Sequence, residues 1–136
     1  MNKVIIFTNT TGNVSVCIPT GEISIEEVQQ KDIPKGINSY IVPIEALPTH
    51  YDDFFNAWEQ VNGKVSVNIE KAKELTKQRL RKLREPLLVD QDILYMKALE
   101  QGIDTSSIIE EKNRLRNITN STDTCSTLEE LRNLGV

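Results

Sequence analysis

One histidine, two cysteines and one tryptophan are all that this 136-residue chain offers of the side chains on which many catalytic and metal sites are built. With a single imidazole, His50, no Ser-His-Asp or Cys-His arrangement can be argued. The thiols Cys17 and Cys125 lie far apart and outside any CxxC pattern, so they read as buried or idle, and a staple between them cannot be inferred. Six glycines form neither GxGxxG nor GxxxxGK, which leaves no phosphate cradle. No apolar run approaches the roughly 20 residues that span a bilayer. The opening Met1-Asn2-Lys3-Val4-Ile5-Ile6-Phe7 has an apolar run too short for a signal-peptide core and no small-residue cleavage site after it. A soluble, cytoplasmic chain with no membrane partner is the expectation.

What is present resembles an ordinary globular domain. Hydrophobic residues make up 38% and charged residues 26%, which sets the chain apart from the low-hydrophobicity, high-charge regime of disorder. Its length suffices to bury a core without disulfides. The net charge of -4 argues against a general nucleic-acid binder, although a local basic face remains open.

The first 67 residues read as strands and turns. Val4 to Phe7 and Val14 to Ile18 are β-branched and aromatic, and Asn9-Thr10-Thr11-Gly12-Asn13 between them has hairpin turn chemistry. Ser24-Ile25-Glu26-Glu27 has the capping-box form and opens a short helix that Pro34 and Gly36 end. Ser39 to Val42 is a third strand closed by Pro43. Ala57 to Val61 and Lys64 to Val67 flank Asn62-Gly63, the strongest hairpin signal in the chain. Trp58, Phe54, Phe55, Phe7 and Tyr40 are the expected large core residues.

From Asn68 the spacing turns helical. Asn68 can cap a helix opening at Ile69-Glu70-Lys71, and Ile69, Ala72, Leu75 or Thr76, Leu80, Leu83 and Leu87 recur at the three-four spacing of one buried stripe. Pro86 predicts a kink or break, with the helix resuming through Ile93, Met96 and Leu99 and ending at Gly102. Capping boxes at Ser107-Ile108-Ile109-Glu110 and Ser126-Thr127-Leu128-Glu129 open two further helices, separated by the polar loop Thr119 to Thr124. The expectation is an α+β fold. A small, mostly antiparallel sheet with one short helix occupies 1–67, and three or four helices occupy 68–136, folding back as a cover or projecting as an arm.

Candidate chemistry is sparse. His50 with Asp52 and Asp53 would need a third ligand that nothing nearby supplies, so it reads as an ordinary surface histidine. Adjacent acidic pairs such as Glu26-Glu27 or Glu110-Glu111 point about 100° apart on a helix and do not converge. No catalytic residue, cofactor or metal is assigned, and the chain reads as a non-enzyme. Residues 70–85 hold seven basic against three acidic side chains, a local +4. A solvated helix back, threaded with i, i+3 and i, i+4 pairs, is the favoured account. An acidic protein partner is the next, and it is preferred to nucleic acid because no aromatic residue interleaves with the run. As partner-binding residues the sequence nominates Lys77, Arg81, Lys82 and Arg84, with Trp58 and Tyr95 as aromatic anchors. Burial of Trp58 against Phe54 or Phe55 is the competing expectation.

Several stretches resemble small tail-region proteins of tailed bacteriophages and prophages, including tail-assembly and tail-fibre-assembly chaperones. They are Val4 to Asn9 with Val14 to Val16, Ile41-Val42 to Leu47-Pro48, Phe55 to Glu59, and Val67 to Glu74. Arg79-Leu80-Arg81, Arg84 to Leu88, Asp92 to Glu100 and Thr127 to Leu131 complete the likeness, which spans nearly the whole chain. The better-known chaperones end in an arginine-rich helix followed by an aspartate-tryptophan pair. Here Leu88-Val89-Asp90-Gln91-Asp92 stands in that region, and the one tryptophan is Trp58. The resemblance implies a protein partner, a phage tail or fibre polypeptide, bound transiently in the host cytoplasm. It equally admits a minor structural place in the virion, as a homo-oligomer, and an accessory role against host defence stands as a third class.

Overall fold

Three consecutive apolar residues, Val4, Ile5 and Ile6, are each at most 1% exposed. A strand with one wet face would alternate, so this run belongs to a strand covered on both faces. The computed structural model describes residues 2–48 and 52–136, and divides them into two compact units, Met1–Ala72 and Lys73–Val136. Together they form an α+β fold, strands in the first unit and helices through the second.

In the first unit, β1 (Lys3–Thr8) is the central strand of a three-stranded antiparallel sheet, between β2 (Val14–Cys17) and β3 (Ser39–Pro43). Ile6 sits opposite Val16 on one side and Tyr40 on the other. The β1–β2 turn is held by Asn9, whose Oδ1 accepts from the backbone N–H groups of Thr11 and Asn13 at 3.0 and 3.1 Å. One face of the sheet packs Val4, Ile6 and Val14 against Trp58, with Val65 and Val67 beside it. The other packs Ile5 against Val28 and Ile33. Each fully covered aliphatic side chain contributes roughly 1.5–3 kcal/mol.

Val28 comes from α1 (Ile25–Asp32), where the hydroxyl of Ser24 accepts from Glu27 N–H as the capping box requires. Gln29 Nε2 donates to Ser39 Oγ at 2.9 Å and so ties this helix to β3. Trp58, Val65 and Val67 come from a separate two-stranded hairpin, β4 (Trp58–Val61) and β5 (Lys64–Val67). The expected single sheet is therefore two. The hairpin is spent on covering β1, not on extending its sheet. Asn62 and Gly63 have φ of 52° and 84°, the pair of positive values a type I′ turn needs. Phe54 and Trp58 are buried as expected, but Phe55 is exposed and Phe7 and Tyr40 are only half-buried.

The long helix α2 (Ile69–Gln101) starts at Asn68, whose Oδ1 accepts from the N–H groups of Glu70 and Lys71 at 2.9 and 3.1 Å. Asn68 Nδ2 also donates to Glu59 Oε1 at 2.8 Å, and Lys71 Nζ lies 3.1 Å from the same oxygen. The expected break at Pro86 does not occur: the helix runs through it. A proline in a helix interior costs about 3 kcal/mol. Good helix formers on both sides, Lys82 to Glu85 and Leu87-Leu88, together with anchoring of Arg84 described below, offset that cost. Gly102 ends α2 with φ of 68°, its N–H reaching Leu99 O while Ile103 N–H reaches Ala98 O, a Schellman motif.

Beyond Gly102 the second unit returns along α2. Helix α3 (Ser106–Arg116) begins ahead of the anticipated Ser107 box, and it is Asp104 Oδ1 that accepts from Ser106 N–H and Oγ. The stretch expected as a polar loop is a 3-10 helix, Ile118–Thr124. The hydroxyls of Ser121, Thr122 and Thr124 each donate to the carbonyl three residues earlier, which matches the 3-10 repeat. A last short helix, α4 (Leu128–Arg132), has its cap one residue later than expected: Thr127 Oγ1 accepts from Glu130 N–H, and Glu130 accepts from the hydroxyls of Ser126 and Thr127.

Two tests follow from the first unit. A Cβ on Gly63 would sit 3.0 Å from the Tyr40 ring, whereas one on Gly12, which has an equally positive φ of 87°, would meet nothing within 4 Å. Gly63→Ala is expected to lower stability by about 1–3 kcal/mol and Gly12→Ala by about 1. Equal losses in urea melts would remove the Tyr40 contact from the account. The second test concerns acid. Hydrogen bonds from Asn68, then Lys71, hold Glu59 below the ordinary carboxylate value of 4.5. A depressed folded pKa gives stability that is present above the unfolded value and lost as pH falls through the folded one. The midpoint of thermal unfolding should therefore fall less between neutral pH and about pH 3 in Glu59→Gln than in the parent chain.

Candidate functional site

The basic stretch of α2 is where the sequence placed a binding face, and its residues have separate fates. Arg84 Nη1 donates to the carbonyls of Leu115 and Arg116 at 3.3 and 2.7 Å. Arg79 Nη2 donates to Leu131 O at 3.1 Å. These acceptors lie at the C-termini of α3 and α4, where the helix dipole favours a cation. Lys77 pairs with Asp123 at 3.4 Å and with Glu74 at 3.6 Å. These cations hold the return segments onto α2. Arg81 and Lys82 differ: both are exposed, and neither forms an ion pair or side-chain hydrogen bond among the described residues.

Two shallow grooves flank these free cations. The first, about 390 Å³, is lined by Leu75, Gln78, Arg79, Lys82 and Leu83. The second, about 360 Å³, is lined by Arg81, Arg84, Glu85, Leu88, Val89 and Asp92. Arg81 and Lys82 are adjacent on a helix and so point about 100° apart, which is why they serve different grooves.

The two aromatic candidates belong to different units. Trp58 lies in the first unit, 4% exposed beneath the sheet, its ring centroid 4.8 Å from that of Phe55. Its Nε1 is buried with no hydrogen-bond partner among the described residues. Tyr95 is half-buried in the second unit, with Lys112 Nζ 5.2 Å from its ring centre. The same ammonium pairs with Asp92 at 2.6 Å. His50 lies outside the described residues. Among those that are described, no three of His, Cys, Asp and Glu could together hold a metal ion, and no helix is long and apolar enough to cross a membrane. Cys17 and Cys125 are free thiols. Burial, with the nearby Glu130 carboxylate, pushes the Cys125 thiol up, away from nucleophilic use.

Sequence reasoning missed where the apolar residues of α2 would point. Ile93, Met96 and Leu99, through which the helix was expected to resume, are about half exposed. Leu83 and Leu87, expected on the buried stripe, are exposed. The buried line is Ala72, Thr76, Leu80 and Ala98. Ala98 follows Leu80 by eighteen residues, five full turns, and so regains its azimuth only because Pro86 leaves the helix unbroken. Val89 stands nine residues from both, two and a half turns, on the opposite side.

Compared with models of known protein families, with curated proteins and with solved structures, the chain matches none.

Arg84→Ala should lower stability by about 1–3 kcal/mol, because two helix-terminal carbonyls lose a charged donor. Arg84→Lys should recover part of that loss, since an ammonium keeps the charge but not the fork. Arg81→Ala is expected within about 0.5 kcal/mol of the parent. Chemical denaturation that ranks Arg81→Ala with Arg84→Ala would refute the division between anchoring and free cations.

Proposed function

We propose that this chain acts by binding another polypeptide, a phage tail or tail-fibre protein held during assembly in the host cytoplasm, and not by catalysis. The observation that carries this is the open groove on α2 lined by Leu75, Gln78, Arg79, Lys82 and Leu83. It lies within 67–88, where the resemblance to tail-region proteins is densest. Its floor is apolar and its rim cationic, so it fits a segment carrying apolar side chains beside acidic ones. Leu83 is 43% exposed and would be covered by such a segment. Lys77 and Arg84 are occupied within the chain and Trp58 is buried, so the client contact falls to Lys82 and the leucines, with Arg81 as an outlying charge.

The test is co-expression with the polypeptide of a neighbouring tail gene, followed by size-exclusion chromatography with light scattering. A stoichiometric complex is expected, and Leu83→Glu should weaken it at least tenfold, since a charge at the centre of an apolar contact is left unpaired. Elution of the chain unchanged by its neighbour would overturn the proposal. Stoichiometric recovery of the chain from purified particles by mass spectrometry would replace the transient client with a structural place in the virion.

A further inference from the structure

We infer that the face of α2 opposite its buried line is the surface by which two copies of this chain pair, with their α2 helices antiparallel. The seam consists of Lys82, Pro86, Val89, Ile93, Met96 and Glu100, whose spacings alternate four, three, four, three, four. That is the heptad pattern of a helix that packs knobs into holes against another helix. Val89, Ile93 and Met96 are 53%, 49% and 57% exposed. They are contiguous on one face, unlike the scattered apolar residues that any surface carries. Lys82 and Glu100 close the two ends of the seam. Both are exposed, and neither has an ion pair among the described residues.

The occupant is identified by reading the seam against its own reverse. In an antiparallel pair the layers are Lys82 with Glu100 of the second copy, Pro86 with Met96, and Val89 with Ile93. The two-fold axis then repeats each layer in the opposite sense. Every layer is apolar with apolar or cation with anion. A parallel pair would set Lys82 against Lys82 and Glu100 against Glu100, and like-charge contacts of this kind are costly. The same sequence therefore supplies both the attraction and the choice of direction, which an unrelated helix would have to match by accident.

Continuity through Pro86 is a precondition, because a break there would separate Lys82 from the rest of the seam. Proline also suits a seam position, since its ring is apolar and fixed. Beside the axis, Asp92 is already paired with Lys112 at 2.6 Å. Asp90 is exposed and approaches its own counterpart, which keeps the pair weak, with a dissociation constant on the order of 10–100 µM. This pairing goes beyond the client-binding proposal and needs no tail protein.

The experiment is sedimentation equilibrium of the full chain alone, from about 1 µM to about 1 mM. A monomer–dimer equilibrium is expected. Lys82→Glu and Glu100→Lys should each weaken it about tenfold, and the doubly reversed chain should return to within about threefold of the parent. Both positions are exposed, so the fold is retained, and far-UV circular dichroism verifies this for each variant. A chain that stays monomeric throughout, a larger assembly, or single reversals without effect would overturn the inference, as would failure of the double reversal to restore pairing. Lys82 borders the client groove as well, so these outcomes are read on the chain alone and client binding keeps its separate test at Leu83.

Discussion

The last carbonyls of a helix stay open to further donors, and in the second unit of this protein two of those donors are arginines of α2. Arg84 reaches the end of α3 and Arg79 the end of α4, each a cation set against the negative end of a helix dipole. Lys77 and Asp92 add ion pairs to the same return segments. The return path depends on these donors standing on one continuous element. A break at Pro86 would leave Arg84 and Asp92 on different axes, while α3 needs both at once. Helix anchoring and helix continuity are thus one constraint, and the proline is tolerated because the contacts on either side of it offset its cost.

What the sequence made legible is what residues within a few positions of one another decide. The Ser24–Glu27 cap, the Asn62-Gly63 turn, the Asn68 cap and the Gly102 stop are all in place, because each rests on the conformational needs of a few backbone groups. The α+β division into a strand-rich first half and a helical second half was legible for the same reason. What was hidden depends on distant partners. The acceptors of Arg79 and Arg84 lie 52 and 31 residues away, so a local count of charges cannot show that these cations are already used. The β4–β5 hairpin was readable as a hairpin, but its use as a lid over Val4 and Ile6 was not. The candidate site was legible as a basic helix. Which of its charges remain free was not.

That distinction changes how the basic run is to be understood. A charge excess of +4 over 70–85 suggests an electrostatic face. Lys77, Arg79 and Arg84 are assigned to carbonyls and carboxylates and Lys71 to Glu59, whereas Arg81 and Lys82 are exposed with no ion pair among the described residues. Two cations make a rim for an apolar contact and not a polyanion track, which would need many phosphate contacts to hold. The charge that α2 leaves uncompensated is thus well below the +4 of the sequence count.

The distribution of apolar residues on α2 carries the argument further. An ordinary surface helix keeps one apolar stripe toward its core and covers the opposite side with charge. Here the line through Leu80 and Ala98 is buried, yet Val89, Ile93 and Met96 stand exposed on the far side, between Lys82 and Glu100. In the proposed pairing the terminal charges fix direction while the apolar middle supplies the contact. Val89, Ile93 and Met96, which α3 and α4 leave uncovered, are the side chains on which the proposed pairing rests.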